Sequence, residues 1–168
     1  CKEDDFKLFK KKYSEVILKP LNGMGGDSIY KFDKTSEDHL KIFKELTNNY
    51  KTMVMVQNFL PEIYDGDYRI LIINGEPFPI GLARIPQKGS FKGNLAAGGR
   101  GEARELSADQ IQASKEIGKI LIQEGILFAG IDMIGSSLTE INITSPTGAR
   151  EILTQTGQNP IKALLQSI

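Results

Sequence analysis

The sequence predicts an α+β fold in which antiparallel hairpins are covered by helices. Three observations carry this. Strand-like apolar runs come in pairs separated by turn signals, as in "VILK" (16–19) with "SIYKF" (28–32), and "ILFAGIDMIG" (126–135) with "LTEINITS" (138–145). Asn74-Gly75 sits between apolar runs, where two residues with positive φ close a tight hairpin. Two other stretches repeat their apolar residues at helical spacing behind a serine suited to N-capping. The chain's 168 residues suffice for one domain with a real core or for two small lobes.

Taken in order, residues 3–13 predict a short amphipathic helix with Phe6, Phe9 and Tyr13 on one side. The strand at 16–19 ends at Pro20 and returns at 28–32, enclosing a wide loop that contains Gly23, Gly25 and Gly26. Ser36 is expected to cap a helix over 37–50, with Leu40, Phe43, Leu46 and Tyr50 on its apolar side. A strand over 52–60 follows, stopped by Pro61, in which Met53 and Met55 read as core residues. "DGDYRILIINGEPF" predicts a strand, a turn and a second strand running on through "PIGLARI". Residues 86–105 are polar and rich in glycine. They are longer than an ordinary connection, and their lysines and arginines suit a mobile flap over an anion. Ser107 is expected to cap a helix over 108–124, and two further strands follow. Ile152, Leu153 and the segment 160–168 supply closing helical pieces.

Composition removes several functional classes. Basic and acidic residues number 21 each, so nothing draws the whole molecule to nucleic acid or anionic lipid. A single cysteine, Cys1, excludes an internal disulfide framework and a thiolate metal cluster, and fits a reducing compartment. No apolar run approaches a membrane span, and "CKEDDFKLFKKK" lacks the apolar core of a signal peptide. The chain opens without methionine, which fits processing or a domain of a longer protein.

Candidate chemistry centres on Asp132, a carboxylate inside an otherwise apolar strand, where a charge needs a partner. Glu140 and Asn142 stand two apart and therefore share one strand face. If the two strands pair, Asp132 faces both. Two carboxylates and an amide oxygen then form the all-oxygen set that suits Mg²⁺, not the sulfur and imidazole set of structural zinc. The alternative is that Glu140 and Asn142 line the solvated face of an edge strand. Lys19, Arg69, Arg84, Lys88, Lys92 and Arg100 provide cations for a phosphate-bearing ligand, and glycine-loop amides can add an anion-binding concavity. The loop at 23–26 is no P-loop, since GxxxxGK[ST] is absent, and it opens no dinucleotide-binding helix. The one histidine, His39, has no histidine partner and reads as a structural residue.

The stretches "ILKPLNGMGG", "QNFLPEIYDGDYRILIINGEP", "LARIPQKGSFKGNLAAGGRGE" and "LFAGIDMIGSSLTEINITSPTGARE" resemble the bacterial type of glutathione synthetase, an ATP-grasp ligase family, from about residue 13 to the end. The resemblance implies a partial ATP-grasp fold of antiparallel sheets covered by helices in two lobes. Residues 1–62 would be the remaining small lobe and connection, and 63–168 the large lobe with a flexible loop at about 86–101. It implies a cytoplasmic enzyme that uses ATP and Mg²⁺, with Mn²⁺ as an alternative ion. Such an enzyme joins γ-glutamylcysteine to glycine through an acyl phosphate, yielding glutathione, ADP and phosphate. Lys19 with Gly23, Gly25 and Gly26 would meet the ATP phosphates; Gln57, Asn58, Phe59 and Leu60 would cradle adenine; Asp67 would lie near ribose. Arg69 would lie on the phosphate side, and Asp132, Glu140 and Asn142 would share the metal. Arg84, Lys92 and Arg100, with Arg69, would be catalytic, the first also meeting substrate beside Ser145, Pro146 and Thr147. The chain departs from the family pattern at Lys92, where arginine is usual, and at Gly148-Ala149, where Cys-Ile is usual. An N-terminal domain and an earlier nucleotide-contacting lysine of the family are missing, so little activity is expected from this chain alone. A homo-oligomer is implied, without nucleic-acid or membrane partners. Alternatives are a related carboxylate–amine ligase with another acceptor and a non-catalytic nucleotide-binding module.

Overall fold

The structure, a computed structural model, describes residues 2–22, 28–95 and 98–167. The chain divides into two units, residues 1–60 and 61–168.

Unit 1 contains α1 (Glu3–Lys12), β1 (Val16–Pro20), β2 (Tyr30–Phe32), α2 (His39–Leu46) and β3 (Val54–Asn58). The strands form one antiparallel sheet in the order β2-β1-β3. Alternation along β1 buries Val16 and Leu18, and Phe6, Phe32 and Phe43 close the core over them. The Phe6 and Phe43 rings stack with centroids 4.4 Å apart. α1 has acids in its first turn and lysines in its last, the arrangement that the helix dipole favours.

Two expectations for this unit need correction. The helix predicted over 37–50 runs only over His39–Leu46, and Ser36 does not cap it. The Ser36 hydroxyl donates instead to Asp33 Oδ1 and accepts from the Asp33 N–H. At the far end Asn48, Asn49 and Tyr50 all take positive φ, which ends the helix before Tyr50 can extend it. Met53 and Met55 are not core residues: they are 68% and 36% exposed. Residues at period two along β3 put Val54 and Val56 against the core, so the methionines fall on the other face.

Unit 2 opens with a 3₁₀ turn at Pro61–Tyr64. It continues through β4 (Asp67–Ile73), β5 (Glu76–Pro77), β6 (Ile80–Ile85), β7 (Arg100–Glu105), α3 (Ala108–Gln123), β8 (Phe128–Ile134), β9 (Ser137–Asn142), α4 (Ala149–Thr156) and α5 (Pro160–Gln166). The sheet is antiparallel in the order β7-β6-β4-β8-β9, with β5 also on β4. Even-numbered residues of β4 (Tyr68, Ile70, Ile72) and odd-numbered residues of β8 (Ala129, Ile131, Met133) pack with Leu121 of α3. The opposite face carries Leu71, Ile80 and Leu82 beneath Ile152 of α4.

The Ser107 cap and the helix behind it form as expected, with a full capping box to Gln110. The strand expected to run through 76–85 is split between β5 and β6. The segment expected to be loop through 105 becomes β7 from Arg100 onward, paired with β6. The last strand stops at Asn142 instead of 145. A bulge interrupts the β8–β9 ladder beside Asp132 and Met133. Among the described residues, no helix is long and apolar enough to cross a membrane.

Candidate active site

β4 is buried along its whole length and lies between β6 and β8, so its odd-numbered side chains meet both neighbours on one face. Asp67 lies opposite Arg84, and Arg69 opposite Asp132. The four form a buried chain of ion pairs, between 3% and 9% exposed. Arg69 grips Asp132 with a two-pronged contact: Nε to Oδ1 at 2.5 Å and Nη2 to Oδ2 at 2.9 Å. Arg84 bridges both acids through Nη2, at 2.5 Å to Asp67 Oδ2 and 2.8 Å to Asp132 Oδ2, and donates from Nε to the Asp67 carbonyl.

The two acids respond in opposite ways. At Asp132 burial works against the charge, but the hydrogen bond from Arg69 and the charges of Arg84 and Arg69 outweigh it and hold the carboxyl below its ordinary range. At Asp67 burial wins over Arg84 and, with the nearby Asp132 charge, pushes the carboxyl up to about 6. Its Oδ1 is buried without a hydrogen-bond partner. Arg69 is raised: burial opposes its charge, and the hydrogen bond and charge of Asp132 overcome that.

Glycines shape the space that holds Arg69. A Cβ on Gly130 would lie 2.7 Å from Pro146 Cβ and 3.0 Å from Arg69 Cδ. One on Gly148, whose φ is +109°, would lie 3.3 Å from Arg69 Cγ. The guanidinium then reaches Thr147, donating from Nη1 to Oγ1 at 3.3 Å. Gly93 plays a similar part from the 86–99 loop: its bare Cα packs against the Arg84 carbonyl and Asp67 Cβ. The loop is tied internally by Gln87 Nε2 to the Gly98 carbonyl and by the Gly99 N–H to the Asn94 carbonyl. Sequence reasoning missed these three glycine roles. For Gly130 the available signal was a glycine inside an apolar strand, which marks a close approach.

Of the residues expected from sequence, Asp67, Arg69, Arg84, Asp132 and Thr147 come together directly. Glu140 stands opposite Asp132 and Asn142 opposite Gly130 across β8–β9, so both fall on the charged face. Glu140 is exposed and makes no ion pair among the described residues. Pro146 packs beside Gly130, while Ser145 is exposed with φ of +47°. Arg100 is not among them. It belongs to β7, lies in register with Ile85, pairs with Glu102 at 2.5 Å, and its side chain is 74% exposed. Alternation puts it on the face opposite Gly101, which is the residue that meets Arg84. Lys92 is half-buried in the loop, its N–H on Ser90 Oγ.

In unit 1, Lys19 and Ile17 occupy the sheet face away from the phenylalanine core, with Met55 and Gln57 opposite them in β3. Asn58 lies opposite Val16; Phe59 is buried and Leu60 half-buried. Gly23, Gly25 and Gly26 lie outside the described residues. His39 is structural, its Nδ1 2.6 Å from the Ser36 carbonyl and its ring against Phe6 and Phe32. It also helps line a basic cavity of about 400 Å³ with Lys7, Lys10, Lys11 and Lys34.

No group of three or more His, Cys, Asp or Glu among the described residues is arranged to hold a metal ion. The expected set, however, counts an amide as its third member. Asp132 and Glu140 are directly opposite on one face. Asn142 is on the same face, with Nδ2 buried and lacking a partner. By type, two carboxylates and an amide oxygen suit a hard divalent cation, but both Asp132 oxygens are already held by Arg69 and Arg84, and the orphaned Asn142 Nδ2 is a donor, so Glu140 and the Asn142 amide oxygen are the members left to meet an ion.

This two-unit arrangement of antiparallel sheets covered by helices is the ATP-grasp fold, the architecture of a class of ligases. The crystal structure of D-cycloserine synthetase DcsG superposes over 96% of this chain and 56% of its own, with a TM-score of 0.67 and 16% identity. The ATP-grasp ligase PsnB, complexed with a variant of its minimal precursor, Mg and ADP, superposes over 98% of this chain and 48% of its own, with a TM-score of 0.65 and 17% identity. The family model for the ATP-grasp domain of prokaryotic glutathione synthetase matches residues 1–157, and the chain belongs to that family. It is 48% identical over 151 residues to the glutathione synthetase of Vibrio parahaemolyticus, covering 90% of this chain and 48% of that protein. It is 51% identical over 147 residues to that of Escherichia coli O157:H7, covering 87% and 46%. The chain thus spans about half the length of these curated relatives.

Proposed function

We propose that this chain carries the nucleotide-binding and catalytic part of an ATP- and Mg²⁺-dependent cytoplasmic ligase. The enzyme joins γ-glutamylcysteine to glycine and gives glutathione, ADP and phosphate. The observation that carries the reading is the buried cluster of Arg69, Arg84, Asp67 and Asp132, set beside Glu140, Asn142 and Thr147 on one sheet face. Membership of the glutathione synthetase family supports the choice of substrates.

Glu140 and the Asn142 amide oxygen would hold Mg²⁺, which supplies charge neutralisation to phosphate oxygens when bound. Lys19, in unit 1, offers a mobile positive charge suited to phosphate. Arg84 is held through Nε and Nη2, so its guanidinium is fixed in direction before any ligand arrives, and Nη1 takes no part in these pairs. A preset donor of this kind stabilises the negative charge that builds as the dipeptide carboxylate takes the γ-phosphoryl group. Arg69, braced by Asp132 and Thr147, orients the substrate carboxylate beside residues 145–147. The glycine amine then attacks the acyl phosphate, its carbonyl carbon forming the new amide as phosphate leaves. The 86–99 loop, seated on Asp67 and Arg84 through Gly93, shields that acyl phosphate from water.

The test is ADP release by the full-length protein with Mg²⁺ATP and γ-glutamylcysteine. Release should depend on glycine and produce glutathione. Release that depends instead on glutamate as acceptor would replace glutathione synthesis with another carboxylate–amine ligation. ATP binding without turnover would reduce the protein to a nucleotide-binding module.

A further inference from the structure

Lys31 was not among the residues singled out from sequence, yet two contacts converge on it in unit 1 and a third links its partners. It lies in β2 opposite Ile17, and Gln57 lies opposite Ile17 on the other side, so Lys31 and Gln57 share the sheet face that bears Lys19. Its Nζ is 2.7 Å from Glu15 Oε1 and 3.6 Å from the centroid of the Phe59 ring. Glu15 in turn accepts the Phe59 N–H on its backbone carbonyl at 3.1 Å. The circuit is closed: Glu15 holds the Phe59 backbone and the lysine, and the lysine holds the Phe59 ring. An exposed salt bridge alone would constrain little. Here the lysine side chain is only 23% exposed, and its ammonium faces a buried aromatic ring, a contact that strengthens as water is removed. The circuit closes directly after β3, on residue 59 of the 57–60 segment, away from the phenylalanine core.

We propose that Lys31 is a positioning residue for the 57–60 segment, setting the affinity and base selectivity of the site for the adenine end of its nucleotide. This rests on the nucleotide-binding reading above. Lys31 touches no phosphate in this assignment. It fixes the direction in which the backbone and ring of residues 57–60 are presented. A planar purine held against a short backbone stretch is sensitive to rotations of that stretch that a flexible triphosphate tolerates.

The experiment measures binding to the full chain by calorimetry, with Mg²⁺ present, for ADP, GDP and inorganic tripolyphosphate. Lys31→Met should raise Kd for ADP by about tenfold and shrink the preference for ADP over GDP. Tripolyphosphate affinity should stay within about twofold. Lys31→Arg, which keeps the charge and the ring contact, should restore ADP binding. Glu15→Gln leaves the backbone bond to Phe59 intact and should move ADP affinity in the same direction as Lys31→Met; it carries the test if the methionine variant does not fold. A purely structural lysine would lower Tm and leave the ADP to GDP ratio unchanged, and that result overturns the inference. So does an equal loss of ADP and tripolyphosphate affinity. Failure of the wild type to bind ADP overturns the nucleotide reading itself, and this inference with it.

Discussion

Asp67 is the residue whose position costs the fold most plainly. Its carboxyl titrates near 6 in the folded chain against an ordinary 3.8, chiefly because it is buried. Below 3.8 it is protonated in both states and the fold is unaffected. As pH rises through about 6 the folded protein must ionise a group that the unfolded chain ionised earlier. Stability from this residue is therefore lost on going to neutral pH, by up to about 3 kcal/mol. Asp67→Asn should gain stability relative to wild type between pH 4 and pH 7.5 in denaturant titrations; a constant difference would contradict the assignment. Gly130→Ala tests the seat of Arg69. The added methyl meets Pro146 and the arginine stem, so unit 2 should lose about 1–3 kcal/mol and turnover of the full-length protein should fall with it. Asp132 was legible because a carboxylate interrupts an apolar run. Its grip on Arg69 was not, because the partners are 63 residues apart and no local pattern encodes the β4–β8 pairing.

Elements were legible where local chemistry and tertiary demand agree. α3 has both a periodic apolar side and a reciprocal cap between Ser107 and Gln110. Ser107→Ala should cost about 1 kcal/mol, read from a shift in denaturation midpoint with unchanged slope. β7 was not legible. "RGEARE" has no apolar alternation and is a strand because β6 offers a free edge in register from Ile80 to Ile85. α2 misled for the opposite reason: Leu46 and Tyr50 continue the helical spacing, but left-handed backbone at 48–50 breaks the helix between them. Met53 and Met55, before and within β3, misled because hydrophobicity alone does not say which of two faces a strand turns inward.

At the scale of the whole molecule, 21 cations and 21 anions cancel. Attraction for a polyanionic ligand would therefore have to come from individual lysines and arginines, and not from a field of the entire surface. The chain spans about half the length of its curated relatives, and its glutathione formation is to be measured against theirs. Steady-state assays should find at least about a hundredfold less glutathione formed by these 168 residues than by a full-length glutathione synthetase of the family, a loss of about 3 kcal/mol in transition-state stabilisation. Comparable rates would show that the half of the relatives which this chain does not match adds nothing to the chemistry.

The bulge in the β8–β9 hairpin has a consequence for how this chain can change in length. Counting back from the turn, Ile134 meets Ser137 and Met133 meets Leu138; the ladder then skips Thr139, so Asp132 meets Glu140. Without the skip, Asp132 would meet Thr139, and Glu140 and Asn142 would pass to the side occupied by Ile131 and α3. One residue thus sets the parity of everything beyond it. Deleting Thr139 alone would leave Glu140 and Asn142 on the charged face with a regular ladder, whereas removing one residue from the paired positions while the bulge stays would turn them to the other face.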